Sequence, residues 1–344
     1  MNLRFDVQTH DMRKLYFLRY VSIVFPYLDL ARAGNLLLNC LDFRRGVLSP
    51  RSLPPLLKIE SSLVCNMACP GCLQVKGKER QNLTGQEFLS AANLEKILAP
   101  IASRILGVNL TYRGEALMNP EIIQIIRTVK RHQLAAFFPT NLSVSRDRVF
   151  FEHLVGTGLD CLSVSLDGTS AASYEKYRRG GDFDLVLRNV RTIADIKRSR
   201  NVRRPHLRWK FIVFPHNQHE LEFVRNRYRE LGFDSYEINY DRDSAPHQEG
   251  HRNLCERVLH RKERCFLPWN TMVVGWDGQI LPCFAERYPF DLGNAIQSGL
   301  STAWRGRKYR NLRQGLSTLD PRDLHRNCHH CLHGEWPPGK PEIS

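Results

Sequence analysis

Ile59-Glu60-Ser61-Ser62-Leu63-Val64-Cys65-Asn66-Met67-Ala68-Cys69-Pro70-Gly71-Cys72 is the stretch on which the reading of this chain turns. Leu56–Glu60 has the apolar character of a short buried strand. Straight after it come three cysteines spaced Cys-x3-Cys-x2-Cys. Three thiolates can hold three irons of a [4Fe–4S] cube and leave the fourth iron without a protein ligand. An open coordination position is where an external molecule binds and reacts. The competing reading is a zinc site of three cysteines completed by a remote fourth ligand.

Outward from that stretch, short apolar strands alternate with amphipathic helices as far as Tyr240. Further strands are predicted at Gly107–Thr111, Ala135–Pro139, Cys161–Leu166, Leu207–Phe214 and Ser235–Tyr240. Helices are predicted at Glu121–His132, Asp184–Ser199 and Gln218–Leu231. Such alternation argues for βαβ units and a parallel sheet. Six strands are too few for a closed eight-stranded barrel, so the expected fold is α/β, a partial (β/α)6 TIM-like barrel. Three regions are expected: an N-terminal helical segment (1–52), the barrel (53–243) and a small cysteine-containing domain (244–344). Asp241–His251 reads as a linker. The tail Trp336-Pro337-Pro338-Gly339-Lys340-Pro341 should be irregular.

In the C-terminal region Cys265 and Cys283 are 17 residues apart, and Cys328 and Cys331 form a Cys-x2-Cys pair. Trp276-Asp277-Gly278 suits a hairpin turn between Thr271–Gly275 and Gln279–Pro282, which would carry Cys283 towards Cys265. Four thiolates at these spacings suit either tetrahedral zinc or a fully ligated [4Fe–4S] cluster. Cys161 reads as a small core residue and Cys255 as a spare thiol. His325, His329, His330 and His333 read as part of a solvated loop.

These motifs, in this order, resemble the radical SAM superfamily. In that family the open iron chelates S-adenosylmethionine (SAM), and reductive cleavage yields a 5′-deoxyadenosyl radical that abstracts a substrate hydrogen. Many members have an aromatic residue before the third cysteine, where it touches adenine; here Gly71 stands there, so that contact must come from elsewhere. Thr111-Tyr112-Arg113-Gly114-Glu115-Ala116 resembles the family's Gly-Gly-Glu-Pro segment, which makes Gly114 and Glu115 receivers of the SAM amino group. Thr140-Asn141-Leu142 resembles Thr-Asn-Gly. Ser163-Val164-Ser165-Leu166-Asp167-Gly168 resembles Ser-x-Asp-Gly, so Asn141, Ser165 and Asp167 join the set, with hydroxyl and carboxylate partners for SAM. Tyr174 to Gly181 resembles the next signature, in which an Arg pairs with the SAM carboxylate; Arg178 is the choice. The segments all fall at carboxyl ends of predicted strands, where barrel enzymes place chemistry.

The C-terminal pattern resembles the family's SPASM extension, or its shorter twitch form. The resemblance implies that Cys65, Cys69 and Cys72 hold the SAM-binding [4Fe–4S] cluster, while Cys265, Cys283, Cys328 and Cys331 hold a second, auxiliary one. It implies an oxidoreductase that oxidises a small molecule by two electrons, with flavodoxin or ferredoxin as electron donor. Alternatives are a peptide maturase, redox-neutral methyl transfer or epimerisation, or a zinc-stabilised binding protein for RNA or an acidic partner. Sulfatase-maturing relatives carry an Asp after the second auxiliary cysteine, where this chain has Phe284. Their activity is therefore disfavoured.

The formal net charge is +15, with seven Lys or Arg and no acid from Lys197 to Lys210. A basic balance favours anionic partners. No nucleic-acid motif accompanies it, so nucleic acid is not the expected partner. No signal peptide and no stretch of 18 apolar residues is present, which predicts a cytoplasmic protein. Clustered cysteines then point to metal rather than disulfides. Leu15–Leu41 is apolar but interrupted by Arg19, Pro26, Asp29 and Arg32. It reads as an amphipathic helix pair that covers the barrel or, as the alternative, lies on a membrane.

Overall fold

A computed structural model describes residues 5–6, 20–72, 83–241, 265–283, 290–320 and 322–333. Cys255, Phe284, the linker beyond Asp241 and the tail from Trp336 lie outside them. The six expected strands are present as β2 (Leu56–Ile59), β3 (Gly107–Asn109), β4 (Ala135–Thr140), β5 (Cys161–Ser165), β6 (His206–Val213) and β7 (Ser235–Tyr240). They pair in parallel in chain order.

The sheet is wider than predicted. A strand at Phe5–Asp6 (β1) adds in parallel to β7, so the N-terminal segment is not wholly helical. At the other edge β8 (Thr271–Val274) adds in parallel to β2 and begins a hairpin with β9 (Ile280–Leu281). The full order is β1-β7-β6-β5-β4-β3-β2-β8-β9. Both additions follow from the unpaired backbone groups at a sheet edge, which recruit any compatible strand. The C-terminal hairpin is thereby joined by backbone hydrogen bonds to the strand that precedes Cys65.

Alternation along the strands sorts the residues onto two faces. Leu57, Val108, Phe138, Val164, Trp209 and Ile238 share the main core with the helices. Helix Phe183–Ser199 shows why it belongs there. Asp182 caps its N-terminus by accepting from the Leu185 amide. Val186, Val190, Ile193 and Ile196 then recur at helical spacing and are fully buried, worth roughly 1.5–3 kcal/mol each. On the other face Leu56, Ala135, Phe137 and Cys161 form a second cluster, plugged by Ile23 and Val24 from the N-terminal segment. The same face carries Lys58, Asn109, Ser163, Ser165, Arg208, Lys210 and Glu237 in matching register. Arg208 and Glu237 are both buried and pair at 3.3 Å. Much of the basic run is therefore engaged: Lys197 pairs with Asp234 and Arg204 with Asp160.

The C-terminal region is more helical than its sequence suggested. Leu300–Arg305, Arg307–Thr318 and Arg326–His333 are helices. Arg313 is buried at their junction, donating to the carbonyls of Leu48, Pro268 and Trp304 and lying over the rings of Trp304 and Tyr309. The last cysteine pair lies on the helix Arg326–His333 rather than in a loop. His329 is buried, and His325 stacks on Phe290 with centroids 4.1 Å apart. No helix among the described residues is long and apolar enough to cross a membrane.

Candidate functional site

The loop after β2 is held on several sides. The Glu115 amide donates to the Val64 carbonyl at 2.9 Å, and the Ala68 amide to the Arg179 carbonyl at 2.9 Å. Asn66 donates its side-chain amide to the Ser143 carbonyl at 2.6 Å. A Cβ on Gly114 would lie 2.2 Å from the Ser62 carbonyl oxygen. Only glycine lets these two backbones approach so closely.

Cys65, Cys69 and Cys72 lie near enough for the charge of each of the latter two to act on Cys65. Burial is the largest effect on Cys65 and pushes its thiol up to about 12; Glu115, Cys69 and Cys72 add to it. Cys69 is pushed up by burial and pulled back by Arg178, whose Nη1 is 3.9 Å from Cys69 Sγ. Asn141 Nδ2 is 3.9 Å from Cys65 Sγ and donates to Asn66 Oδ1 at 2.9 Å. Arg178 Nε donates to the fully buried Asp167 at 2.6 Å, and Asp167 also accepts from the Ile212 amide at 2.7 Å.

Gly114, Glu115, Asn141, Asp167 and Arg178 thus gather around the cysteine loop. Ser165 is buried at the last position of β5, in register with Lys210. Glu115 differs in one respect from its expected part as a receiver of an ammonium group. Its carboxylate already accepts from the Thr140 hydroxyl (2.6 Å), the Asn141 amide (2.7 Å) and the Leu117 amide (3.1 Å). It ties together the ends of β3 and β4. Burial raises its pKa, against those three hydrogen bonds.

Sequence reasoning missed Asn66 and Tyr177. A Cβ on Gly71 would lie 2.8 Å from Tyr177 Oη. The Tyr177 ring in turn packs on Phe214 (4.3 Å), and Phe214 stacks on His216 (5.4 Å, 9° between planes). The departure at Gly71 was the available signal: a missing side chain asks what fills its space.

In the C-terminal region Cys328 is pushed well above an ordinary thiol, first by burial and then by Cys283, Cys265 and Cys331. Cys328, on the helix Arg326–His333, thus has Cys265, Cys283 and Cys331 near enough for their charges to act on it. None of the nine described cysteines is in a disulfide. Among the described residues no three His, Cys, Asp or Glu close on the position of a single ion. Both thiol groups nonetheless fit a cationic iron–sulfur core by their chemistry. Thiols crowded in desolvated surroundings ionise poorly on their own, and a bound metal centre reverses that preference.

Comparisons with known proteins agree. The profile of the Radical SAM superfamily matches residues 59–220, and that of an iron–sulfur cluster-binding domain, SPASM, matches residues 265–332. The mycofactocin maturase MftC of Mycobacterium tuberculosis is 27% identical over 154 residues, 44% of this chain and 37% of that protein. The GTP 3′,8-cyclase of Lactiplantibacillus plantarum is 25% identical over 130 residues, 37% of each chain. The chain thus matches little more than a third of the length of these relatives. Among solved structures, Streptococcus suis SuiB superposes with a TM-score of 0.60 at 14% identity, covering 82% of this chain and 72% of SuiB. The enzyme anSMEcpe with bound AdoMet superposes at 0.54 and 15% identity, covering 74% of this chain and 81% of its own.

Proposed function

Because this chain is a radical SAM enzyme with a C-terminal SPASM iron–sulfur domain, we propose that it oxidises a small polar molecule by two electrons. When bound, the first cluster and SAM supply a 5′-deoxyadenosyl radical that removes a substrate hydrogen. Cys65, Cys69 and Cys72 would hold that cluster. Cys265, Cys283, Cys328 and Cys331 would hold an auxiliary [4Fe–4S] cluster whose irons are all ligated, which suits it to accepting an electron rather than binding SAM. Two-electron oxidation then requires the substrate to lose one hydrogen atom, one proton and one electron. The gathering of four C-terminal cysteines is the observation that carries this reading. Flavodoxin or ferredoxin is the proposed source of the reducing electron.

The chain's own residues divide the remaining work. Arg178, compensated by Asp167, is proposed to face the SAM carboxylate. Asn141 and Gly114 shape the wall beside Cys65, and Ser165 lies at the end of β5 where ribose hydroxyls need partners, while Asp167, with both oxygens engaged, acts by holding Arg178. Lys58 and Lys210 share the inner strand face with the Arg208–Glu237 pair. That polar lining supports a substrate bearing hydroxyl or anionic groups. The proposed division of the chain places 1–52 as support, 53–243 as the SAM-cleaving barrel and 244–344 as the auxiliary-cluster domain.

Tyr177 supplies what Gly71 lacks. Its ring, backed by Phe214, offers adenine an aromatic surface beside the third cysteine. Stacking on a base is worth roughly 1–3 kcal/mol. Tyr177→Ala is therefore expected to weaken SAM binding about tenfold, measured by equilibrium dialysis of the reconstituted protein, while Tyr177→Phe binds nearly as well. Equal affinity of Tyr177→Ala and wild type would remove Tyr177 from the adenine site.

Peptide maturation is the second reading. MftC is named a maturase, and SuiB has been solved bound to a precursor peptide, SuiA. The experiment that separates the two starts with anaerobic reconstitution. About eight irons per chain are expected, the sum of two four-iron clusters, with 5′-deoxyadenosine formed on reduction. Small polyols or their phosphates should stimulate that formation. Stimulation by peptides alone would overturn the small-molecule reading, and a colourless zinc protein without SAM cleavage would overturn both.

A further inference from the structure

The helix Leu30–Arg45 is folded onto the barrel inside out. Its inward stripe is largely polar: Arg32, Asn35, Asn39 and Asp42 recur at helical spacing and are all buried, with Phe43 beside them at the helix end, packed on Trp269. Each polar residue is consumed in holding the helix down. Arg32 donates to the carbonyls of Tyr27, Ala102 and His132. Asn35 both donates to and accepts from the backbone of Leu53, at 3.0 and 2.8 Å. Asn39 donates to the Trp269 carbonyl at 2.6 Å, and Asp42 accepts from the amide and hydroxyl of Ser52. The outward side carries Leu30, 93% exposed, and Leu37, 64% exposed. Phe25 (67%) and Leu28 (40%) continue it from the preceding turn. Exposed apolar side chains scattered singly need no explanation, but three leucines and a phenylalanine on one short stretch mark an interaction surface.

The surroundings of this stripe are basic. Arg44 and Arg45 end the helix, exposed. Along the inward edge of the helix, Arg104 donates to Asn35 at 3.2 Å, and Arg104 and the exposed Arg305 both donate to the Arg51 carbonyl, at 2.6 and 3.0 Å; Arg51 is itself exposed. Arg104 and Arg305 are held there by backbone oxygens, and among the described residues no carboxylate pairs with either. The Arg104 guanidinium is disfavoured by burial and then by the neighbouring charge of Arg305. At the helix start Arg204 reaches Tyr27 and Asp160. The nearby acids are committed: Asp29 caps the helix and pairs with Arg32, and Glu95 pairs with Arg131 and His132.

We propose that the outward face of Leu30–Arg45, with Phe25 and Leu28, docks the protein on an anionic phospholipid surface at the amino-terminal end of the barrel. An exposed apolar stripe flanked by arginines is the chemistry by which a helix lies in a membrane interface. The net charge of +15 adds long-range attraction to the same target. The cysteine loop follows the carboxyl end of β2, so docking leaves the proposed SAM site free. The inference does not depend on the substrate assigned to that site.

The test is co-sedimentation with vesicles of phosphatidylcholine alone or mixed with phosphatidylglycerol. The full chain should partition onto the mixed vesicles at least tenfold more than onto the neutral ones, and added salt should release it. Leu30→Glu with Leu37→Glu should abolish binding, and Arg51→Gln with Arg305→Gln should weaken it. These side chains are exposed, so circular dichroism and iron content should match wild type. No partition of wild type, or equal partition of all variants, overturns the proposal. So does sedimentation showing that the stripe instead pairs two copies, with a dimer lost in the leucine variant and no lipid binding.

Discussion

Replacing Arg178 by methionine is expected to lower the stability of the cluster-free protein by roughly 3–5 kcal/mol, the usual cost of breaking a buried ion pair by removing one partner. Asp167 is fully buried, and its carboxylate is compensated by Arg178 Nε at 2.6 Å and the Ile212 amide at 2.7 Å. Methionine fills much of the volume but leaves that carboxylate with one amide. The effect should be read from urea unfolding. It should shrink by more than half when Asp167→Asn is added, since an amide does not need a cation. The two substitutions together would still affect the site. Arg178 Nη1 lies 3.9 Å from Cys69 Sγ, so the double variant should fold yet bind SAM and retain iron poorly. A double variant that binds SAM as wild type does would reduce Arg178 to a structural partner of Asp167.

The strands of the barrel were legible because parallel strands buried on both sides read as apolar runs. Ser235–Tyr240 was bounded as observed, and the others shifted by one or two residues at their ends. What was not legible came from pairings without a side-chain signature. Phe5–Asp6 joins β7 as a two-residue parallel strand, too short to show a pattern. The hairpin at Trp276-Asp277-Gly278 was readable from its turn, but not the pairing of its first strand with β2, more than 200 residues earlier. Leu15–Leu41 was read as an amphipathic helix pair covering the barrel, yet the helix Leu30–Arg45 turns a largely polar side to it. Its real partners are backbone carbonyls and amides at Leu53, Ala102, His132 and Trp269, which no local pattern displays. In the candidate site, the cysteine spacings and strand-end motifs were visible. Tyr177 was not, because its part depends on the space above Gly71. The helix Arg326–His333 escaped notice because Cys-x2-Cys suggests a metal-binding turn, and its histidines then read as loop.

Substituting alanine for Cys65, Cys69 and Cys72 together is expected to abolish 5′-deoxyadenosine formation entirely and to remove about four of about eight irons per chain. Substituting Cys328 and Cys331 should remove the other four, yet leave reductive SAM cleavage measurable while substrate oxidation is lost. The asymmetry follows from coordination. Three thiolates leave an iron that can take an external ligand, whereas four do not. The two groups are also separate in the fold: one loop follows β2, the other lies between a hairpin and a C-terminal helix. Loss of either set should cost little unfolding free energy in the cluster-free state, since burial disfavours the thiolate at Cys65 and Cys328 and alanine replaces a neutral thiol at little cost there. Iron and sulfide counts, with 5′-deoxyadenosine measured by chromatography, distinguish the outcomes. If the Cys328–Cys331 variant also loses all SAM cleavage while keeping four irons, the auxiliary group is required for more than electron acceptance. If the Cys65–Cys69–Cys72 variant keeps its SAM cleavage, the open iron lies elsewhere, and the site assigned beside β2 is wrong.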